Sequence, residues 1–196
     1  GQTTYELEYN SGIGSNGLTS ARHDIFHHKL AEEFPNSFDP LTEKNLVYSG
    51  QNSLFDKLDD ITLGKLVLSP SRTYAPVIKA IFQGYKKYIN GMIHCTGGGQ
   101  TKILHFIDNL HICKNDMFDV PPLFSLIKKE SNTSWKEMYQ VFNMGHRMEL
   151  YLKKDVTNEI IDIARSFNLE AKIIGYVEKS NAKKLTIKSP GGTLVY

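Results

Sequence analysis

Hydrophobic and polar residues alternate, or recur at helical spacing, along most of this chain. In residues 5–9, Tyr and Leu alternate with Glu, which predicts a half-buried strand that leads into the glycine-rich segment 11–17. Apolar residues then recur at helical spacing over Leu18–Ile25, which predicts a helix. Ser15 and Asn16 precede this helix and are residue types that cap helix N-termini. The chain therefore opens with a predicted strand, a glycine-rich turn and a helix.

The same succession of strand, polar turn and helix is predicted twice more. The apolar run Gly64–Leu68 predicts a strand that ends in the polar turn Ser69–Arg72, and apolar residues at helical spacing follow over 74–85. Gly91–Thr96 predicts a third strand, and Gly97–Gly99 predicts a turn into another helix. Three such units along one chain favour a layered arrangement of strands and helices.

The rest of the chain continues this mixture. Residues 34–62 are rich in Pro, Asn, Ser and Asp and predict a long irregular connection, of a kind that is usually functional or disordered. Together the elements predict a mixed α/β (α+β) fold, a layered sheet with packed helices. The remaining predicted elements are a helix opened by Pro121 and Pro122, a helix over 135–142, a strand over 148–152, an amphipathic helix over 156–167, and closing strands near 172–177 and 185–188.

The composition is that of a globular protein. Of the 196 residues, 40% are hydrophobic and 22% are charged, which excludes collagen-like, coiled-coil and wholly disordered chains. No repeat or linker divides the chain, so we predict one domain over residues 1–196. No apolar run approaches the roughly 18–20 residues of a membrane helix, no secretory signal is visible in residues 1–10, and Cys95 and Cys113 are too few for a disulfide framework. We therefore expect a cytoplasmic protein with no membrane partner.

Charge is distributed unevenly along the chain. Residues 1–60 carry a net charge of −6 and the remaining 136 residues carry +8, so the whole chain is at +2. The lysines of the basic part occur as scattered doublets, without the aromatic residues that RNA-binding surfaces place among them. We therefore expect no nucleic-acid partner. A locally basic cleft for a phosphorylated small substrate also suits this charge.

Candidate chemistry is concentrated in three turns between predicted strands and helices, at 11–17, 69–72 and 97–99. Their backbone N–H groups and the following helix N-termini favour bound anions such as phosphate. None of the turns has the spacing of a P-loop or of the dinucleotide fingerprint. Taken singly, each turn fits better as a tight turn that uses Gly for positive φ and a hydroxyl as a helix cap.

Three side chains near turns are candidates for binding or catalysis. His94 is predicted on a strand two residues before Thr96, where it either reaches a ligand at the Gly97–Gly99 turn or forms a hydrogen bond with backbone in the core. Arg72 follows a predicted strand, where its guanidinium either clamps a phosphate or carboxylate or forms a salt bridge. Asn143 precedes a Met-Gly pair, and its turn propensity alone is an alternative explanation for its position.

No metal site is predicted. His23 and His27 are four residues apart on a predicted helix, as metal-binding histidines are, and His28 follows them. The Glu of the HExxH motif and a third ligand are missing, so we expect surface histidines. The spacing also shows no Ser-His-Asp set, no close pair of carboxylates and no Cys nucleophile motif. The residues alone thus predict an α/β domain with several anion-binding turns.

Five motifs in a fixed order carry a resemblance to a known family. They are Gly14-Ser-Asn-Gly17, Ser69-Pro-Ser-Arg-Thr-Tyr74, Gly91-Met-Ile-His-Cys-Thr-Gly-Gly-Gly99, Pro121-Pro-Leu-Phe124 and Glu137-Met-Tyr-Gln-Val-Phe-Asn-Met-Gly145. Together they resemble the C-terminal domain of phosphoribosylformylglycinamidine cyclo-ligase, also called aminoimidazole ribonucleotide synthetase, from about Ser11 to Val177. The superfamily of this domain also includes formylglycinamidine synthase, selenophosphate synthetase, thiamine-monophosphate kinase and a hydrogenase maturation factor. The third and fifth motifs look most like the cyclo-ligase.

The resemblance implies ATP-dependent closure of formylglycinamidine ribonucleotide to aminoimidazole ribonucleotide in purine biosynthesis, with release of ADP and phosphate. In the implied mechanism ATP phosphorylates the formyl oxygen, and the amidine nitrogen then attacks and expels phosphate. Such a transfer depends on Mg²⁺ and on positioning more than on a protein nucleophile. Family members carry an N-terminal domain that provides most of the ATP and Mg²⁺ site and the dimer interface. We expect that domain to be absent from this chain, the chain alone to be inactive, and the full-length enzyme to be a homodimer.

The resemblance also places residues on the substrate side of the cleft that faces the N-terminal domain. His94 is the candidate catalytic residue, with a polar or proton-transfer role. Gly14 stands where the family usually has His, so the task of that His is unassigned, and no role is transferred to 34–62. The residues expected to bind the ribose phosphate and the formylglycinamidine end are Ser15, Asn16, Gly17, Arg72, Thr96, Gly97, Gly98, Gly99 and Asn143.

Two alternative functions remain open. One is another ATP-dependent enzyme of the superfamily that acts on a phosphate-bearing or amide substrate, which turnover of a different acceptor by the full-length protein would favour. The other is a binding module that holds a ribonucleotide without catalysis.

Overall fold

The computed structural model describes residues 9–14 and 17–196 and has the mixed α/β fold that the sequence predicts. The described residues form two compact units. Unit 1 contains the described residues up to Ser71 together with Thr96–Gln100 and Asp119–Gly145. Unit 2 contains Arg72–Cys95, Thr101–Phe118 and His146–Tyr196. Each unit is therefore built from segments that are separated in the sequence.

The regular elements are numbered here in chain order. The α-helices are α1 (Leu18–Ile25), α2 (Lys29–Glu33), α3 (Leu63–Val67), α4 (Ala75–Tyr85), α5 (Pro122–Ser131), α6 (Trp135–Val141) and α7 (Thr157–Ser166). The strands are β1 (Lys57–Leu58), β2 (Ile61–Thr62), β3 (Ile89–His94), β4 (Leu110–Lys114), β5 (Met148–Leu152), β6 (Gly175–Lys179), β7 (Lys184–Ser189) and β8 (Gly192–Val195). Short 3₁₀ helices cover Lys44–Leu46, Lys86–Tyr88, Gly99–His105 and Lys154–Val156. Among the described helices, none has the length and apolar character that crossing a bilayer requires.

Helices form the core of unit 1. α1 packs against α5 and also contacts α3. The buried residues recur at helical spacing, Ala21 and Ile25 on α1 and Leu123 and Ile127 on α5. Each of these helices therefore presents one apolar face to the core, as the hydrophobic pattern predicts.

Part of the segment 34–62 is anchored to α1 through His23. The N–H of Tyr48 donates a hydrogen bond to His23 Nδ1 at 3.0 Å, and the N–H of Ser49 donates to the carbonyl oxygen of His23 at 2.8 Å. The segment is irregular as predicted, apart from one 3₁₀ turn and the short β1–β2 hairpin. The expectation of a surface histidine is wrong for His23, which is buried, and confirmed for His27–His28, which are exposed.

Unit 2 combines two sheets with two helices. β3 and β5 form an antiparallel pair, and the second sheet has the order β6–β4–β7–β8, in which only β4 and β7 run parallel. One face of the second sheet is buried and carries Ile112, Leu185 and Ile187. The core between α4 and α7 consists of Val77, Ile81, Val156, Ile160 and Ala164, against which Leu150 and Leu152 of β5 pack.

Several predicted elements need correction. Gly64–Leu68 is not a strand but lies mostly in α3, because Leu63, Leu66 and Val67 are buried at a helical spacing that a five-residue apolar run does not reveal. The helix expected after Gly97–Gly99 is a 3₁₀ helix. β4 and β8 were not predicted. The expected threefold repetition of strand, turn and helix is therefore wrong.

The first predicted strand and the predicted caps of α1 involve residues outside the described part of the chain. Residues 5–8, Ser15 and Asn16 all lie there. Tyr9 is described and is not in a strand. The N-cap position of α1 is occupied by Gly17.

Candidate functional site

In unit 1, two of the predicted turns pack closely against Phe142. Gly17 and Gly99 both have positive φ, +78° and +48°. A Cβ on Gly17 would lie 2.6 Å from the Phe142 ring, and a Cβ on Gly99 would lie 2.5 Å from the Phe142 carbonyl oxygen, distances that real Cβ atoms essentially never show. Only Gly therefore fits at either position. We call Gly17, Gly99 and Phe142 the glycine cluster.

Asn143 shapes the turn that follows the glycine cluster. Its Oδ1 accepts a hydrogen bond from the N–H of Gly145 at 2.8 Å, and its carbonyl oxygen accepts one from Gln100 Nε2 at 2.7 Å. Met144 and Gly145 both have positive φ, 53° and 88°, so the Asn143 side chain stabilises a turn with unfavourable backbone angles. Asn143 is buried, and these contacts fit the structural explanation of its position. Its role in substrate binding stays a prediction.

In the turn Thr96–Gly99, neither the backbone angles nor the packing at position 97 require a glycine. The N–H of Gly99 donates to the carbonyl oxygen of Thr96 at 2.8 Å, which closes the turn, and Gly98 has a φ of +89°. Gly97 is exposed, its φ is not positive, and a Cβ placed on it would meet no atom within 4 Å. A glycine is thus not needed at position 97 for packing, whereas the backbone there is accessible to a ligand.

Gly17 is the only described residue of the predicted Ser15-Asn16-Gly17 group. It lies directly before α1 and has no side chain that can cap this helix. The Gly17 carbonyl oxygen accepts a hydrogen bond from the N–H of Ala21 at 2.8 Å, so helical hydrogen bonding begins at this residue. The roles expected of Ser15 and Asn16 stay predictions.

In unit 2, His94 is exposed at the end of β3, so the alternative of a core histidine is wrong. Its ring packs edge-on against Tyr74, with 6.4 Å between ring centroids, and its carbonyl oxygen accepts a hydrogen bond from Lys102 Nζ at 3.1 Å. Partial burial lowers the pKa of His94, and the positive charges of Lys102 and Arg147 lower it further. The ring is therefore neutral at pH 7, with one nitrogen as donor and the other as acceptor.

Arg72 precedes α4 and is half-buried. It lies two residues before Tyr74, the residue whose ring contacts His94. Burial raises the pKa of Tyr74, while the charge of Arg147 and a hydrogen bond with it act in the opposite direction. The guanidinium of Arg147 is itself buried, so unit 2 keeps a fixed positive charge close to Tyr74 and His94.

Unit 2 contains a buried ion pair between Lys114 of β4 and Glu149 of β5. Lys114 Nζ lies 2.5 Å from Glu149 Oε1, and the two side chains are only 2% and 4% exposed. The Tyr151 hydroxyl donates to the second carboxylate oxygen, Glu149 Oε2, at 2.7 Å. Burial, followed by the charge of Glu149, raises the pKa of Tyr151. The carboxylate is therefore bound through both oxygens, as a buried charge requires.

Two further buried groups near this pair are held in their neutral forms. Burial and then the Glu149 charge raise the pKa of the Cys95 thiol, so Cys95 is not a thiolate nucleophile. Burial and then the charges of Lys114 and Lys172 lower the pKa of His146 to about 3. His146 Nε2 accepts a hydrogen bond from the N–H of Phe118 at 3.1 Å, a contact that needs the neutral ring.

The sequence interpretation did not identify Lys114, Arg147 or Glu149. Glu149 lies within the predicted strand 148–152 but was given no role, and Lys114 ends a strand that was not predicted. A usable signal was present, because residues 110–114 contain apolar residues at alternate positions before the lysine.

Comparison with known proteins shows the family of this chain. The family model described as AIR synthase related protein, C-terminal domain, matches residues 4–188. The chain belongs to this family, which confirms the resemblance carried by the five motifs.

Individual relatives agree with the family and also show how much of them is matched. The chain is 30% identical over 173 residues to a protein of Methanopyrus kandleri, 26% over 185 residues to one of Syntrophus aciditrophicus, and 31% over 179 residues to one of Carboxydothermus hydrogenoformans, each named phosphoribosylformylglycinamidine cyclo-ligase. These matches cover 86%, 90% and 85% of this chain, but only 42%, 47% and 43% of the relatives. The chain thus spans less than half the length of these curated relatives.

Proposed function

We propose that this chain is the substrate-binding C-terminal part of an ATP-dependent cyclo-ligase that converts formylglycinamidine ribonucleotide to aminoimidazole ribonucleotide. The observation that carries the proposal is the Thr96–Gly99 turn, where Gly99 is locked against Phe142 and the neighbouring Gly97 is exposed without a packing reason to be glycine. The names of the relatives support the choice of reaction within the family.

For unit 1 the proposal assigns phosphate binding to the Thr96–Gly99 turn. A glycine with open space around it lets a ligand approach the backbone closely, and exposed N–H groups are good donors to phosphate oxygens. The packing of Gly99 against Phe142 holds the turn in one conformation before the ligand arrives, which lowers the entropy cost of binding. Gly98 and Thr96 belong to the same turn and are included in this assignment.

For unit 2 the proposal assigns His94 to the formylglycinamidine end of the substrate and Arg72 to its phosphate or carbonyl oxygens. A neutral imidazole can take the proton that the amidine nitrogen loses as it attacks the activated carbon. Partial burial, and then the charges of Lys102 and Arg147, lower the pKa of His94 and so keep the ring able to accept that proton. Arg72 offers the planar set of donors that suits phosphate oxygens.

ATP and Mg²⁺ are assigned to the part of the full-length protein that lies outside this chain. Within residues 9–14 and 17–196, the one group of three or more ligand-type side chains that lie close together contains an imidazole and a thiol, whereas Mg²⁺ prefers oxygen ligands. These residues therefore do not fit Mg²⁺, and no step is assigned to them through it. The proposal also includes the homodimer and the cytoplasmic location expected for such an enzyme.

The test is calorimetric titration of the chain with formylglycinamidine ribonucleotide and, separately, with ATP. We expect substrate binding that is at least about tenfold weaker in Arg72→Ala and His94→Ala, since each loses a side-chain hydrogen bond of about 1.5 kcal/mol. We expect a similar loss in Gly97→Ala, because its Cβ occupies the open space through which the ligand approaches the backbone. We expect no ATPase or cyclisation turnover by the chain alone.

Gly84→Ala is the matched control, because Gly84 is also exposed and a Cβ there also meets no atom within 4 Å. It should bind the substrate like the unmodified chain. Equal binding by Gly97→Ala would remove the phosphate role of the turn, and tighter binding of a different phosphorylated or amide substrate would favour another enzyme of the superfamily. Turnover by the purified chain would contradict the division of labour proposed here.

A further inference from the structure

The exposed face of the four-stranded sheet in unit 2 carries a group of metal-ligating side chains that the proposed function does not use. His111 and Cys113 are two residues apart on β4 and therefore lie on the same face. Glu178 of β6 is the direct cross-strand partner of His111, and Thr186 of β7 is the partner of Cys113. Three adjacent strands thus place an imidazole, a thiol, a carboxylate and a hydroxyl next to one another.

The ligand atoms of His111, Cys113 and Glu178 all lie within 4.8 Å of one another. His111 Nδ1 lies 2.7 Å from Glu178 Oε1 and 3.6 Å from Cys113 Sγ. Zn–S and Zn–N bonds of about 2.3 and 2.0 Å at a tetrahedral angle require about 3.5 Å between sulfur and nitrogen. The Sγ–Nδ1 distance is close to this value, but Sγ lies nearer to Nε2, at 3.3 Å. An ion on Nδ1 therefore requires the Cys113 side chain to turn away from Nε2. The half-exposed Glu178 has to move by about 0.6 Å to open the N···O distance to the roughly 3.3 Å of the same geometry.

We propose that His111, Cys113 and Glu178 bind one Zn²⁺ ion on this face of the sheet. Nitrogen, thiolate and carboxylate ligands are those that Zn²⁺ takes in proteins, and three protein ligands leave the fourth position for water. Binding replaces two protons, that of the Cys113 thiol and that of His111 Nδ1, which the contact with the Glu178 carboxylate requires. For a neutral His111 the ring proton moves to Nε2, so one proton is released to solvent.

The surroundings of His111 match those of metal-bound histidines. Its other ring nitrogen, Nε2, lies 2.8 Å from Thr186 Oγ1, a hydrogen bond that fixes the orientation of the ring while Nδ1 faces the ion. Cys113 is 7% exposed and His111 is 14% exposed, whereas Glu178 is 51% exposed. The Cys113 and His111 side of the site is therefore shielded from solvent, and the Glu178 side is accessible to an ion.

The proposal is independent of the Mg²⁺ that the cyclo-ligase reaction requires. Mg²⁺ has little affinity for a thiolate, so the two ions are assigned to different places by ligand chemistry. The alternative is that His111 and Glu178 form only an ion pair and that Cys113 packs beside them.

The test is titration of chelator-treated protein with Co²⁺, which replaces Zn²⁺ at thiolate sites and has visible spectra, followed by displacement with Zn²⁺. We expect one Co²⁺ per chain, a thiolate-to-cobalt charge-transfer band in the near ultraviolet, and loss of the band when Zn²⁺ is added. Cys113→Ser should abolish the band. Glu178→Gln, a conservative change of a half-exposed residue, should weaken Co²⁺ and Zn²⁺ binding by about 10- to 100-fold.

Cys95→Ser is the matched control, because Cys95 is the other cysteine of the chain and is buried elsewhere in unit 2. It should keep the band and the stoichiometry. A His27→Ala, His28→Ala double variant should also leave both unchanged, since these two exposed histidines lie on unit 1. Absence of a charge-transfer band in the unmodified chain, or a band that persists in Cys113→Ser, would overturn the proposal.

Discussion

The glycine cluster of unit 1 and the buried ion pair of unit 2 fix their surroundings by different kinds of interaction. In the glycine cluster, the backbones at Gly17 and Gly99 approach Phe142 so closely that no side chain fits between them. In unit 2, Lys114 and Glu149 are held by a charge interaction that is almost completely removed from water. The first constraint is steric and the second is electrostatic.

This difference determines how each region responds to substitution. A steric constraint acts on one position at a time. A Cβ at Gly99 overlaps with the backbone of Phe142, and a substitution at another position does not remove this overlap. A buried charge pair is reciprocal, because each charge is tolerated only while the other is present. Single changes should therefore damage both regions, whereas a paired change should rescue only the second.

The largest expected effect is that of Lys114→Met. The substitution keeps the length of the side chain but leaves the Glu149 carboxylate buried without its counter-charge, although the Tyr151 hydroxyl still donates a hydrogen bond to it. We expect the free energy of unfolding to fall by about 3–5 kcal/mol, the cost of an uncompensated buried charge. Chemical denaturation at pH 7 measures this change.

Two comparisons test whether charge is the cause. The double variant Lys114→Met, Glu149→Leu removes both charges and should be clearly more stable than Lys114→Met alone. Lys172→Met breaks the exposed Lys172–Asp116 pair, whose Nζ–Oδ1 distance is 2.9 Å, and should cost no more than about 1 kcal/mol. A double variant no more stable than Lys114→Met would show that packing rather than charge makes the position sensitive.

The second effect is that of Gly99→Ala in the glycine cluster. The new Cβ would lie 2.5 Å from the Phe142 carbonyl oxygen and 2.7 Å from that of Tyr139, on a backbone with φ of +48°. We expect a loss of about 2–4 kcal/mol from the left-handed backbone and the overlap together, measured in the same denaturation experiment. Gly97→Ala, two residues away, has open space and should stay within about 0.5 kcal/mol of the unmodified chain. Similar losses in the two variants would contradict the steric explanation.

Periodicity and turn chemistry predicted most of the helices and the mixed α/β class. α4, α5, α6 and α7 lie where apolar residues recur at helical spacing, and Pro121 and Pro122 mark the start of α5 correctly. The run Gly64–Leu68 was misassigned because a run of five residues is too short to show a period, and Leu63, Leu66 and Val67 are buried at helical spacing. The local pattern of apolar residues thus determines the type of a long element, whereas tertiary packing determines the type of a short one.

The candidate site was predictable only in part. The glycine motifs indicated turns, but their packing against Phe142 joins segments that are far apart in the sequence and have no local signature. The alternation of Glu149 with apolar residues predicts an exposed side chain. Glu149 is nevertheless buried, because Lys114 of another strand neutralises its charge. Such pairs depend on which strands are neighbours in the fold, and the spacing of residues on one strand does not indicate this.

The smallest expected effect is the pH dependence that one buried histidine of unit 2 contributes. His146 of unit 2 has a pKa lowered to about 3 by burial and by the charges of Lys114 and Lys172, against 6.5 for the unperturbed group. Below pH 6.5 the unfolded chain binds a proton that the folded chain refuses, so stability falls as the pH decreases from 6.5 towards 3. Between pH 7 and pH 5 this amounts to about 2 kcal/mol.

His146→Gln isolates this effect, because Gln has no titrating ring but keeps an acceptor for the N–H of Phe118. The difference in unfolding free energy between pH 7 and pH 5 should be about 2 kcal/mol smaller in His146→Gln than in the unmodified chain. His105→Gln is the matched control, because it introduces the same residue at an exposed position of the same unit and leaves His146 in place. An equal pH dependence in His146→Gln and the unmodified chain would mean that the folded protein accommodates a charged His146. Water would then reach the buried polar groups around His146, whereas the glycine cluster would still exclude side chains.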